Sequence, residues 1–299
     1  ANLGEARRHE GTEARNEQVD EGKWSLADRW IVSRFNRTVA AANDALADYR
    51  FDQYARACYD FFWGDFCDWY LEAIKPAMKD PARAGQTAHV LAAVLDGSLR
   101  LMHPMVPYIT EAIWQRLCEV RPERGLPGHI MGCMSPRLVR AAWPRAGPCC
   151  DADEQTFAKL QETIVAIRNL RNEHKVDPRK PVTVSILGPA EPIRQMDANR
   201  EMIQSLAVCR LKEVRADLPA PAGAARVLAA GCEIFVEGLV DADAEKQRVA
   251  KRREELTKQI SALRGRLSNQ SYIAKAPAKL VEESRQQLAN AEAELARLG

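Results

Sequence analysis

The sequence predicts a mainly α protein made of a helical bundle, a small α+β module and a C-terminal antiparallel coiled-coil hairpin. Three observations carry this. The first part of the chain holds four apolar-periodic segments with helical spacing and short joints. Further on, period-two alternation appears in segments bounded by Gly and Pro. Toward the end, apolar residues recur every seven. The boundaries so drawn are 1–23 for a polar N-terminal segment, 24–119 for the bundle, 120–150 for an irregular connector, 151–240 for the α+β module and 241–299 for the hairpin.

The first bundle helix opens at Ser25, three residues before Asp28, a spacing that suits a capped N terminus. Leu26, Trp30, Ile31, Phe35, Thr38, Ala42 and Leu46 follow on one face. A second helix starts near Asp52 and places Ala55, Cys58, Tyr59, Phe62, Phe66, Trp69, Tyr70 and Ile74 inward before Pro76. The third runs from about Gln86 to His103, where Pro104 and Pro107 break it. The fourth begins at Pro107 or Tyr108 and turns Ile109, Ala112, Ile113 and Leu117 inward. From Val120 to Cys150 the composition shifts to Pro, Gly and Arg, which reads as irregular chain.

The second unit starts with a helix from Asp153 that carries Phe157, Leu160, Ile164 and Ile167 on one side. At about 100° per residue, Arg168, Arg171 and Lys175 project within roughly 40° of Ile164. An apolar stripe becomes cationic without changing face. Guanidinium groups there can meet RNA, or can close a core by pairing with carboxylates of a neighbouring unit. An internal ion pair suits Arg171 best, whereas Lys175, Arg179 and Lys180 sit toward the helix end, where a phosphate is the better partner. A strand over Pro181–Leu187, a short helix around Ile193–Leu206, and strands in LKEVRA and GCEIFVEG complete the module, with the turn-rich DLPAPAGAA between the last two.

In the hairpin, Val249, Leu256 and Leu263 form one heptad row, with Ile260 and Leu267 as its companions. After an interruption that contains Pro277, Val281, Leu288 and Leu295 begin a second register. Broken continuity favours an antiparallel hairpin within one chain over a parallel homodimer, and predicts a monomer.

Composition narrows the function classes. Of 299 residues, 46% are hydrophobic and 28% charged, which describes a globular chain. No apolar run approaches bilayer-spanning length, and the polar first residues lack the apolar core of a secretory signal. The start at Ala1 predicts a fragment or a processed product. Eight scattered cysteines form no CxxC pair, which predicts a reduced, cytoplasmic protein with incidental thiols. No phosphate-binding loop, nucleophile elbow or HExxH is present, and the five histidines show no metal-type spacing. His103, beside Pro104, reads as a packing or capping residue. The chain by itself reads as a binding module.

A net charge of +2 says little, but its distribution is uneven. Residues 245–279 carry ten Lys/Arg against three Glu, and residues 280–299 carry two against four. Local cationic clusters are the footprint of a protein that tracks a phosphate backbone, although the outer faces of coiled coils also favour such residues. The candidate RNA contacts on the hairpin are Lys251, Arg252, Arg253, Lys258, Arg264 and Arg266. On the first bundle helix they are Arg29, Arg34 and Arg37, with Trp30 as a stacking platform; core spacing offers Trp30 a competing role.

Several segments resemble one family. YDFFWGDFCDWYLEAIKP (59–76) resembles the second helix of the anticodon-binding bundle of valyl-tRNA synthetases, and LADRWIVSRFNRTV (26–39) the helix before it. LMHPMVPYITEAIWQRL (101–117) is similar to the family's H-P-x-x-P break, and AAWP (141–144) to its exit from the bundle. IRNLRNEHKVDPRKPV is similar to its R-N-x-R-x-E helix and following strand. GLVDADAEKQRVAKRREELTKQI and LSNQSYIAKAPAKLVEESRQQL resemble its C-terminal coiled-coil arm. The likeness covers roughly residues 24 to 299, and PERGLPGHIMGCMSPRLVR (122–140) departs from it like an insertion. It implies the tRNA-gripping part of a valine–tRNA ligase, with tRNA and the catalytic and editing domains of the same polypeptide as partners. The H-I-G-H and K-M-S-K-S signatures of the catalytic domain do not occur here, so the resemblance implies no cofactor in this segment and ATP with magnesium in the full-length enzyme. A free-standing tRNA-binding cofactor and a coiled-coil scaffold are the alternatives.

Overall fold

A computed structural model describes residues 20–126, 135–216, 221, 224–239, 256–261, 263–265, 267–268, 286 and 288. Helix α1 spans Leu26–Ala47 and starts at a complete capping box. The Ser25 hydroxyl accepts from the Asp28 N–H at 3.1 Å, and the Asp28 carboxylate accepts from the Ser25 N–H at 3.1 Å. Asp28 is itself buried and also accepts from the Tyr70 hydroxyl at 2.7 Å, so the cap is tied to the next helix. The apolar face read from the sequence is the buried face, with Ile31, Phe35, Val39 and Ala42 fully enclosed.

The second bundle rod differs from a regular helix. It runs as α2 (Phe51–Tyr59), a π-helical segment (Asp60–Tyr70) and the single turn α3 (Leu71–Ala73). Hydrogen bonds from i to i+5 widen the helix and change its phase. A face computed at 100° per residue therefore fails here. Phe61, Phe66 and Tyr70 are buried, whereas Tyr59, expected inside, is 62% exposed and Phe62 only half-buried.

Short α4 (Lys75–Lys79) follows, with Pro76 in its first turn. Helix α5 spans Pro81–Met102 and begins earlier than Gln86, because Asp80 caps it and Pro81 occupies its first turn. Gly97 lets α5 lie directly on α1: a Cβ there would sit 2.3 Å from the Phe35 ring. At the Pro104–Pro107 corner, His103 Nδ1 bonds the Thr110 hydroxyl at 2.8 Å, a capping role that ties α5 to α6 (Pro107–Val120). Thr110, Trp114 and Leu117 are the buried residues of α6, so Ile109, expected inside, lies on the outer face at 58% exposure.

Trp114 is completely buried beneath two guanidinium groups, Arg100 and Arg124, at 5.2 and 4.7 Å from its ring. Both bond Asp96, at 2.6 and 2.7 Å. Arg124 belongs to the connector, and Arg100 also donates to the Ala142 carbonyl, so this cluster pins an otherwise irregular stretch to α5.

Helix α7 (Asp151–Glu173) begins two residues before the expected start and packs along α1. It ends sooner than the sequence suggests: His174 caps it and Lys175 adopts a left-handed backbone, φ 52°. Beyond it lie β1 (Val182–Leu187), α8 (Ala190–Ala198), α9 (Arg200–Ala207), β2 (Cys209–Arg215), β3 (Ala225–Ala229) and β4 (Cys232–Glu237). The single helix expected around 193–206 is divided at Asn199, and β3 follows the turn-rich stretch, in residues for which the sequence predicts no element. The sheet order is β2-β1-β4-β3, with β1 parallel to β2, antiparallel to β4, and β3 antiparallel to β4. Ala230 and Gly231 form the two-residue β3–β4 turn, both with positive φ, as a primed hairpin turn requires. Central β1 and β4 bury nearly continuous runs, while edges β2 and β3 mix exposed residues with buried ones.

Packing is continuous across position 150/151. One apolar core runs from Trp30 and Phe35 through Phe157 and Ile164 to Val184 and Ile234. Leu256 and Ile260 are buried with Leu288 against them. Most of the expected hairpin lies outside the described residues. No helix among the described residues is long and apolar enough to cross a membrane.

Candidate nucleic-acid interface

The three α1 arginines face protein. Arg29 forms a two-bond fork with Asp153, at 3.0 and 3.1 Å, and donates to the Trp24 carbonyl. Arg34 pairs with Asp65 at 2.8 Å and Glu154 at 3.5 Å, and Arg37 with Asp151 at 2.6 Å and Glu154 at 3.2 Å. The cause is local. Asp151, Asp153 and Glu154 occupy the first turn of α7, where carboxylates suit the helix dipole, and α1 presents its cations to that turn. Glu154, then Asp151, hold the Arg37 guanidinium above its ordinary pKa through hydrogen bonds. Ser33 completes the seam, bonding Glu154 at 2.5 Å and accepting from the Cys150 N–H at 2.8 Å.

Trp30 cannot act as a stacking platform in this fold. It is 3% exposed, and its ring lies 3.8 Å from that of Phe157 with planes 10° apart. Core packing therefore takes the face that a base would use.

Arg168 donates to the Leu206 carbonyl at 3.0 Å and lies 5.6 Å from the Trp69 ring centre. Arg171 is buried as expected, but its partners are not carboxylates. It donates to the carbonyls of Ala207, Val208, Asp177 and Pro178, joining the end of α9 to the turn before β1. Four neutral acceptors do the work assigned to one anion; of these the Asp177 and Val208 carbonyls also accept from the Lys180 and Val182 N–H groups, using both lone pairs.

Lys175, Arg179 and Lys180 behave differently. All three are exposed at the corner between α7 and β1, and none makes a side-chain ion pair among the described residues. The Arg179 N–H bonds the Asp177 carboxylate at 2.8 Å, which fixes the turn that displays them. On the arm, Lys258 and Arg264 are exposed. Lys251, Arg252, Arg253 and Arg266 lie outside the described residues.

A feature missed by the sequence reading lies at the opposite end of the bundle. A cleft of about 700 Å³ opens where α2 and the π-helical segment meet the α5–α6 corner, lined by Arg56, Tyr59, Trp63, Met105 and Ile109 among others. Apart from Arg56 its lining carries no charged side chain, and burial pushes the Cys58 thiol there up to about 11. The signals were Tyr59 and Trp63 four residues apart before Gly64, and Tyr108 directly after Pro107. Reading the whole rod at one helical period hid the first of them. A second cavity, of about 530 Å³ between α1, α4, α5 and α8–α9, has charged walls that pair with each other: Arg83 with Glu201 at 2.8 Å and Arg200 with Asp197 at 2.8 Å.

Two family models match the chain. The anticodon-binding domain of tRNA ligase matches residues 28–186, and the valyl tRNA synthetase tRNA binding arm matches residues 241–299. The first covers α1 through most of β1, including the α1–α7 seam, the cationic corner and the cleft. By these two matches the chain belongs to the tRNA-ligase anticodon-binding family, as the tRNA-binding C-terminal portion of a valyl-tRNA synthetase.

Proposed function

We propose that this chain holds the anticodon stem-loop on its bundle and the outer corner of the tRNA on its arm, and so orients the acceptor end toward the catalytic and editing domains of the same polypeptide. The observation that carries this reading is the presence of both matched segments, in that order, on one chain. Lys175, Arg179 and Lys180 serve as phosphate contacts, supported by their exposure on an ordered turn. Lys251, Arg252, Arg253, Lys258, Arg264 and Arg266 do the same on the arm. Contacts of this kind position RNA without reading sequence. Arg29, Arg34, Arg37 and Arg168 serve the fold instead, by fixing α7 against α1 and α9. The chain contributes binding as a cytoplasmic monomer, and the ATP- and magnesium-dependent attachment of valine belongs to the catalytic domain.

The test is tRNA affinity as a function of salt, with and without residues 241–299. Loss of four phosphate contacts lowers the log–log slope by roughly 3, at about 0.7–0.9 per contact. An unchanged slope removes the arm from the interface.

A further inference from the structure

We infer that the cleft between the π-helical segment and the α5–α6 corner takes one unstacked base of an RNA loop, held by stacking on Trp63 and Tyr59 and not by hydrogen bonds to its edges. This deepens the proposed function and rests on it: the lining residues all fall inside the matched anticodon-binding region.

The cleft is ringed by exposed apolar side chains. Trp63 is 51% exposed, Tyr59 62% and Ile109 58%, and Tyr108, next to Ile109, is 92% exposed. Large apolar side chains gathered at one place on a soluble surface mark a contact site. The indole is also braced. Trp63 meets Phe62 edge-on, ring centres 5.8 Å apart at 80°, and Phe62 in turn stacks on Phe66 at 5.5 Å. Edge contact holds the indole without covering both of its faces. The π-helical winding accounts for the arrangement, because it keeps Phe61 and Phe66 in the core while Trp63 points outward.

Chemistry selects the occupant. The Thr110 hydroxyl in the cleft is already committed, donating to the Val106 carbonyl at 2.8 Å and meeting His103 at 2.8 Å. With few free polar groups, such a site favours a flat aromatic ligand and tolerates any base, since every base offers a π face. At the rim, Arg56 pairs with Asp60, at 3.5 Å between side chains that are both mostly exposed. A surface pair of that kind holds weakly, so a phosphate beside the bound base can take its place.

The experiment uses the full chain and a synthetic anticodon stem-loop of valine tRNA, alongside a set in which each loop base in turn is replaced by an abasic residue. Trp63→Ala should weaken binding of the intact loop about 5- to 150-fold, the range for one base–aromatic stack, with the salt slope unchanged. One abasic position should cost the wild type a similar factor and cost Trp63→Ala nothing more. Trp63→Phe should retain most of the affinity. Tyr59→Ala, at a largely exposed position in the cleft wall, gives a second variant that removes no core side chain, and it should weaken binding in the same way. If Trp63→Ala and Tyr59→Ala bind the intact loop like the wild type, or every abasic penalty persists undiminished in Trp63→Ala, the cleft assignment is wrong while the tRNA-binding reading stands. If the wild type itself ignores the loop and whole tRNA at low salt, both fail together.

Discussion

Trp30 and Phe157 lie face to face, ring centres 3.8 Å apart, at the point where α1 of the bundle meets α7. Their stack is the apolar half of a seam whose polar half is the Arg29–Asp153 fork and the Glu154 cluster. Trp30→Ala should therefore act on folding, at a cost of about 3–5 kcal/mol for a large buried side chain. Urea denaturation measures this loss. Affinity for tRNA, corrected for the folded fraction, should not change; a selective loss of RNA binding in a variant that melts normally would return Trp30 to the interface.

Arg171 supplies a second structural prediction. It holds Val208, a β-branched residue with φ 50°, by donating to its carbonyl and to that of Ala207. Arg171→Ala removes a charged donor from four carbonyls, two of which keep a backbone N–H, and should cost about 3 kcal/mol, seen as a lower melting temperature. Arg171→Lys should recover only part of it, because an ammonium group cannot span two separated carbonyl pairs as the planar fork does.

The cationic corner should show the reverse pattern. Replacing Lys175, Arg179 and Lys180 together by Ala should leave the melting temperature near that of the wild type, since the three side chains are exposed. The slope of log affinity against log salt should fall by roughly 2–3 if each side chain meets one phosphate. Filter binding over a salt series reads it directly, and an unaltered slope places this corner away from RNA.

Alkaline pH should destabilise the fold through buried thiols. Burial pushes Cys58 up to about 11 and Cys209 up to about 12, whereas unfolded thiols titrate near 8.5. The folded chain thus binds these protons more tightly. Their contribution is fully present below about pH 8.5 and is lost as pH rises toward those folded values. Melting temperature should drop between about pH 8.5 and 11, less steeply in Cys58→Ala. In the folded protein at neutral pH, Cys149 and Cys150, which are exposed, should react with a thiol reagent well before Cys58, Cys209 and Cys232, which are buried.

What the sequence determined by itself was periodic and local. Ser25 and Asp28 announced the α1 cap, the apolar face from Leu26 to Ala42 was the core face, and the Pro104–Pro107 corner ended a helix where it was expected. A single helical period failed in the second rod, because the change of winding between Asp60 and Tyr70 is not encoded in residue spacing. Strand β3 was lost because ARVLA is short and follows a turn-rich run, and its pairing with β4 depends on a two-residue turn. Charge was the least legible property. Arg29, Arg34 and Arg37 are indistinguishable in sequence from RNA-binding side chains, yet a helix more than a hundred positions away brings Asp151, Asp153 and Glu154 against them. Composition fixes where cations sit along a chain. Only the packing of distant segments decides which of them are neutralised at home and which, like Lys175, Arg179 and Lys180, remain exposed.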